Sequence, residues 1–133
     1  MRREFLQEWM GMDLSLLAVI GRLLVGATFV FSGIRIVLAR QAVAGLLTAK
    51  GVPAPLFVTL SGAVIEIVLG ACLVLGLMVP LAAFLLAIFV VAATIMVHDF
   101  WRQQGMGRMQ DENTAISNAL IVGGLLVISG YPW

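Results

Sequence analysis

The sequence has few charged residues. Of 133 residues, 8 are Lys or Arg and 7 are Asp or Glu, which makes 11% charged against 62% hydrophobic. Soluble domains carry about 25% charged and about 45–50% apolar residues. A soluble monomer is therefore excluded, because a chain of this length cannot bury that much apolar surface. Disorder is excluded as well, since it requires low hydrophobicity and high net charge.

Cysteine and histidine are also scarce. The one cysteine, Cys72, cannot form an internal disulfide or a CxxC redox pair. The one histidine, His98, has a single adjacent aspartate, which falls short of the usual metal-ligand sets. The net charge of +1 comes with no basic stripe. We therefore expect no metal, no covalently bound cofactor and no nucleic-acid partner.

Long apolar runs dominate what remains, and they predict an integral membrane protein. A transmembrane helix needs about 20 apolar residues, and the runs do not alternate with polar residues as the strands of a membrane barrel do. Met78-Val79-Pro80 divides the longest run, because proline belongs at a helix start. The sequence predicts an all-α single membrane domain over 1–133, an antiparallel bundle of four transmembrane helices with spans at about 13–38, 54–78, 80–98 and 113–131.

A shorter segment, 41–50, separates the first two predicted spans. It is long enough for about three helical turns and too short to cross a bilayer. Gly51 and Pro53 follow it, as is common after a helix. We predict a short interfacial helix, and a lid over a cavity stays open as the sharper hypothesis.

Lysine and arginine predict the orientation. We call the membrane side of residues 1 and 133 side A and the other side B. Side A carries Arg2 and Arg3, whereas side B carries more basic residues: Arg40, Lys50, Arg102 and Arg108. The positive-inside rule then predicts that side B faces the cytoplasm and that both termini lie outside it. The expected location is a bacterial-type inner (plasma) membrane, and the lipid bilayer is an expected partner.

Two charges fall deep within the predicted spans. Arg22 lies in the first span and Glu66 in the second, and counting from the span ends places both near the middle of the membrane. Charged groups at that depth need partners. Gly26 follows Arg22 by four residues, and Gly62 and Gly70 flank Glu66 at the same spacing, so each charge shares a helix face with small residues. We predict close packing of the two helices and an Arg22–Glu66 ion pair, which either fixes the helix register or takes part in function.

A polar cluster is expected at side B. His98, Asp99 and Trp101 end the third span, Arg35 ends the first, and Asn118 lies near the start of the fourth. Asp99 is expected to orient His98 or to balance Arg35. No nucleophile-elbow motif accompanies them. A few polar groups beside aromatic side chains suit a ligand that has an apolar ring with polar ends. A quinone that enters from the lipid is such a ligand. The alternative is that His98 only caps its helix.

The order and spacing of these residues resemble the DoxX/DoxD-like family of small four-helix membrane proteins. The resemblance covers about residues 16–130 and includes Phe29-x-x-x-Gly33, Gly51-Val52-Pro53, His98-Asp99-Phe100-Trp101 and Gly123-Gly124-Leu125-Leu126. It implies a membrane subunit tied to a redox system, including systems linked to thiosulfate–quinone oxidation. This chain has Arg35 and Ser117 where family members often have lysine.

We therefore expect a subunit or accessory protein more than a stand-alone enzyme. The first interpretation is a subunit of a quinone-linked redox system that binds a quinone or a partner subunit near His98. The second is a structural or assembly subunit of a larger membrane complex. The third is a small-solute or proton pathway along Arg22, Glu66 and His98. Other membrane subunits or copies of the chain are the expected protein partners.

Overall fold

The fold is known from a computed structural model, which describes residues 1–10 and 14–133. Asp13, the predicted start of the first span, lies outside the described residues. The described chain is helical and contains no strand, and four of its helices are long and apolar enough to cross a membrane. The predicted fold class is confirmed. The helices are α1 (Arg2–Met10), α2 (Leu14–Leu38), α3 (Arg40–Ala49), α4 (Pro55–Leu75), α5 (Val79–Val97) and α6 (Gly105–Gly130), with a 3₁₀ turn at Phe100–Arg102.

Glycine and proline set the ends of the central helices. Pro55 is the first residue of α4, where its missing N–H costs no helical hydrogen bond. Gly76 ends α4 in the left-handed conformation, with φ at 75°, and Pro80 is the second residue of α5. The expected break is therefore observed, because α4 ends at Leu75 and α5 begins at Val79. By contrast, α6 begins at Gly105, eight residues before the predicted start of the fourth span at 113.

Helices α2 and α4 pack closely through their glycines. A Cβ built on Gly26 would lie 2.8 Å from the carbonyl oxygen of Gly70, and one on Gly33 would lie 2.8 Å from that of Ala63. The numbering falls along one helix as it rises along the other, so the pair is antiparallel. The predicted contact through small residues is confirmed.

Helices α5 and α6 form the second antiparallel pair. The Asn118 amide donates to the Thr94 hydroxyl at 2.8 Å near side B, and the Ser129 hydroxyl donates to the Pro80 carbonyl at 2.8 Å near side A. Leu86 and Leu125 are fully buried between the helices. The core of the bundle lies here and against Leu73 of α4.

The two pairs meet along α4 and α5, which leaves a seam on the other side of the bundle. Helices α2 and α6 make little direct contact. Between them lie two cavities that share Val25 and Gly124 as lining residues. We call this the α2/α6 seam. It gives the interior of the bundle a lateral opening, and it positions the candidate site.

Candidate functional site

The larger cavity of the seam has a volume of about 570 Å³ and reaches from the bundle surface to Glu66. Every membrane-spanning helix contributes to its wall. The lining is mainly apolar, and the polar side chains that line it are Thr28, Ser32, Glu66, His98 and Asn118. Ligand pockets for small molecules have this composition, in which apolar walls supply contact area and a few polar groups orient the ligand.

His98 is held by a carboxylate that the sequence interpretation did not include. Its Nδ1 lies 2.9 Å from Oδ1 of Asp111 on α6. A carboxylate only accepts hydrogen bonds, so Nδ1 carries the hydrogen and donates it. The other ring nitrogen, Nε2, is then available to a ligand. It accepts a hydrogen bond when the ring is neutral and donates one when the ring is protonated.

Asp111 also belongs to an ionic network around Lys50, the residue that follows α3. The Lys50 ammonium group pairs with Asp99 and lies 3.3 Å from Oδ2 of Asp111. The Gln103 amide donates to both carboxylates. The hydrogen bond with Asp99 raises the pKa of Lys50 above its ordinary value of 10.5. This network ties the end of α3 to the side-B ends of α5 and α6.

Asp99 therefore has another role than expected. It neither orients His98 nor balances Arg35, because its carboxylate is committed to Lys50 and Gln103. The nearby Asn118 amide is fixed by the Thr94 hydroxyl, and Asn118 lines the cavity together with His98. Of the predicted cluster, His98 and Asn118 both line the cavity. Asp99 does not line it, but is linked to His98 through Lys50 and Asp111.

Arg35 and Trp101 lie apart from the cavity. The Arg35 guanidinium sits 6.0 Å from the ring centre of Phe31, one turn earlier on its own helix, and Arg35 is exposed. Trp101 packs edge-on against Phe100 and is 52% exposed. Neither Phe100 nor Trp101 is among the residues that line the cavity. Phe29 and Phe89 line the cavity instead.

Glu66 is buried in the cavity wall. Only 9% of the residue is exposed, and Ser32 of α2 is placed to donate to its carboxyl group. Its Oε2 has no hydrogen-bond partner among the described residues. A buried carboxyl oxygen without a partner is costly, and a ligand group in the cavity would satisfy it.

The predicted ion pair between Arg22 and Glu66 is not formed. Within the described part of the chain, neither residue takes part in an ion pair shorter than 4 Å. The Arg22 guanidinium lies 4.7 Å from the ring centre of Trp133, and both of its terminal nitrogens lie beside Gly76. Gly76 is ten residues beyond Glu66 on α4, which separates the two charges by about 15 Å along the helix.

Counting residues from the span ends misplaces Arg22, because the count treats all spans as beginning at one level. Helix α2 begins eight residues before Arg22 and so extends about 12 Å past the level of Gly76. Arg22 is consequently level with the ends of α4 and α6, at the side-A boundary of the bundle. Glu66 remains in the middle.

One known protein family matches most of the bundle. The model of the DoxX family matches residues 17–99, which is 83 of the 133 residues. This chain belongs to the DoxX family. No curated protein and no solved structure matches it.

The DoxX match covers only part of the site. It runs from α2 through His98 and Asp99, and therefore includes Arg22, Ser32, Glu66 and Lys50. Asp111 and Asn118 lie on α6, outside the matched range. The side chains that hold His98 and complete the cavity in this DoxX protein are thus contributed by the segment that the family match does not reach.

Proposed function

We propose that this membrane protein is the quinone-binding component of a redox system and that the quinone head group occupies the larger cavity of the α2/α6 seam. The observation that carries the proposal is a mainly apolar cavity with polar groups at two levels. His98 and Asn118 lie toward side B, and Ser32 and Glu66 lie deeper. A quinone ring has two oxygens on opposite sides, which suits hydrogen-bonding groups at two levels.

The lateral opening supports a ligand that arrives from lipid. The seam is open where α2 and α6 make little direct contact, and its walls are mainly apolar on both sides. A quinone carries an apolar tail, so its head group can enter the cavity while the tail stays in the seam or the bilayer. Nε2 of His98 would donate to a quinone oxygen or accept from a quinol hydroxyl, according to the protonation of the ring. The redox chemistry itself is supplied by the quinone.

A small-solute or proton pathway receives less support. Such a pathway requires polar groups along the route, whereas among the described residues that line the seam between the levels of Glu66 and Arg22 only Thr28 is polar. The same mainly apolar lining suits a quinone tail.

The proposal is tested by purifying the protein in mild detergent and measuring co-purified quinone by mass spectrometry. A short-chain quinone is then titrated by calorimetry. We expect saturable binding, and a Kd raised about tenfold by His98→Gln, which removes the ring nitrogen that faces the ligand. Trp101→Leu is the matched control, because Trp101 lies outside the cavity, and it should bind like the unmodified protein.

Two results would overturn the proposal. One is the absence of both co-purified quinone and saturable binding. The other is an equal Kd for His98→Gln and the unmodified protein. Recovery of a stoichiometric partner chain without quinone would favour the structural or assembly role.

We also propose that side B faces the cytoplasm of an inner membrane, because basic residues are more numerous there. Replacing Cys72 by serine removes the one native thiol. A cysteine then introduced at Gln41, on side B, should react with an impermeant thiol reagent only after the cells are permeabilised. Labelling in intact cells would instead show that side B faces the outside of the cell.

A further inference from the structure

Arg22 stands at the side-A end of the α2/α6 seam. It is the charged residue that lines the smaller cavity, whose volume is about 300 Å³. The guanidinium lies 4.7 Å from the ring centre of Trp133, and both of its terminal nitrogens are 3.5 Å from where a Gly76 Cβ would be. Arg22 is therefore half-buried against two other segments of the chain rather than extended freely into solvent.

The charge of Arg22 has no anionic partner in the described chain. No described carboxylate lies within 4 Å of it, and its Nε is buried without a hydrogen-bond partner. The indole face and the carbonyl end of α4 offer partial negative charge, which stabilises a cation but does not neutralise it. A guanidinium at the edge of a bilayer, without a carboxylate partner among the described residues, is placed to bind an external anion.

A second arginine shares this corner. Arg3 of α1 lies 5.7 Å from the ring centre of Tyr131, and Tyr131 packs on Trp133 with ring centres 4.5 Å apart. Arg3 and Arg22 therefore flank one aromatic pair. No ion pair with an acidic residue neutralises either arginine within the described residues. Aromatic residues of this kind mark the head-group level of a membrane.

The cavity beside Arg22 is shaped for a hydrocarbon chain. Ala18, Gly21 and Val25 form its α2 wall and Val127 its α6 wall, so small side chains leave room between the helices. Since this cavity opens at the bundle surface, an acyl chain could lie along the seam while its head group stays at the arginines.

We propose that Arg22 and Arg3 bind the phosphate of an anionic phospholipid, one of whose acyl chains occupies the side-A half of the α2/α6 seam. A planar guanidinium matches two phosphate oxygens at once, and basic pockets between transmembrane helices bind anionic head groups. This site adjoins the quinone cavity, with which it shares Val25 and Gly124 as lining residues. Its arginines lie at the side-A end of the seam, and the site does not depend on the proposed function.

The test uses the full chain in nanodiscs of phosphatidylcholine with or without phosphatidylglycerol. Native mass spectrometry should find one retained phosphatidylglycerol per chain. Arg22→Gln should lower its retention at least fivefold, Arg3→Gln should lower it less, and Arg22→Lys should restore part of it. Arg35→Gln is the matched control, because Arg35 is exposed toward side B and lies against Phe31.

A second measurement guards against misfolding of the variants. Phosphatidylglycerol should raise the Tm of the unmodified protein and of Arg35→Gln, since a ligand that binds the folded state stabilises it. It should leave the Tm of a helical, folded Arg22→Gln unchanged. Equal retention of phosphatidylglycerol and phosphatidylcholine, equal retention by Arg22→Gln, or displacement by soluble glycerol phosphate would each overturn the proposal. A second copy of the chain bound at this corner instead of lipid would do the same.

Discussion

Gly26 and Gly70 meet backbone to backbone in the centre of the bundle. A Cβ on either glycine would lie 2.8 Å from the carbonyl oxygen of the other. The atoms that a side chain would strike belong to the backbone, so they cannot move aside by changing rotamer. Because the contact is reciprocal, α2 and α4 fit closely in one register, and that register places Ser32 opposite Glu66 and Gly76 opposite Arg22.

Gly70→Ala should therefore separate α2 from α4. We expect a loss of about 1–3 kcal/mol of stability, the usual cost of overpacking, seen as a lower Tm in detergent. Gly123→Ala on α6 is the matched control, since a Cβ there meets nothing within 4 Å. That change should leave the Tm unchanged or raise it, because alanine favours helix by up to about 1 kcal/mol. Equal effects of the two variants would contradict the packing argument.

The same helix pair shows how far the sequence predicts this structure. The four-residue spacing of Gly62, Glu66 and Gly70 identifies a helix face, and Gly70 does pack on α2, but a Cβ on Gly62 would meet Phe89 of α5 instead. The spacing carries no information about how far one helix slides along another. That offset is set by backbone contacts such as Gly26 with Gly70, and it separates Arg22 from Glu66.

Arg22 and Glu66 should consequently contribute independently to stability. In a double-mutant cycle with Arg22→Gln and Glu66→Gln, we expect the coupling energy to be below about 0.5 kcal/mol, as for residues that share no partner. The free energies come from unfolding in detergent under one set of conditions. A coupling above about 1 kcal/mol would mean that the two charges meet in the membrane.

Lys50 should anchor α3 to the rest of the bundle. Lys50→Met removes the pairs with Asp99 and Asp111, and we expect amide exchange in α3 to become about tenfold faster. The effect is modest because each ion pair near a protein surface contributes little to stability. The control is Arg40→Met, at the other end of α3, because within the described residues the Arg40 side chain bonds to the nearby Val37 carbonyl and not to the network. An equal effect of both variants would show that general loss of charge, rather than the network, loosens the helix.

The anchor should also depend on pH in one direction. Because its pKa in the folded protein lies above the ordinary 10.5, Lys50 contributes its full stabilisation below that value and loses it as the pH rises through the folded pKa. The difference in α3 mobility between the unmodified protein and Lys50→Met should be constant at neutral pH and disappear at strongly alkaline pH. Spin labels on α3 measure this mobility. A difference that vanished between pH 6 and pH 9 would point to another titrating group.

Lys50, Gln103 and Asp111 were missed from the sequence for identifiable reasons. Lys50 was counted only as a charge that sets orientation. Asp111 precedes the predicted fourth span, but α6 starts eight residues earlier and carries Asp111 on the same face as Asn118, seven residues on. The segment 105–112 contains no proline, so the sequence is compatible with a helix that begins before residue 113.

Gly124 offers the most direct test of the seam as a binding site. It lines both cavities, and a Cβ there meets nothing within 4 Å, so Gly124→Leu should fold while its side chain fills the space between α2 and α6. We expect quinone affinity to fall at least tenfold. Its neighbour Gly123 is equally unobstructed and lines neither cavity. Gly123→Leu is therefore matched in composition and helix propensity, and it should bind quinone normally. Equal Tm values first establish that both variants are folded, and calorimetric titration then compares their quinone affinities. Equal affinities would place any quinone outside the seam.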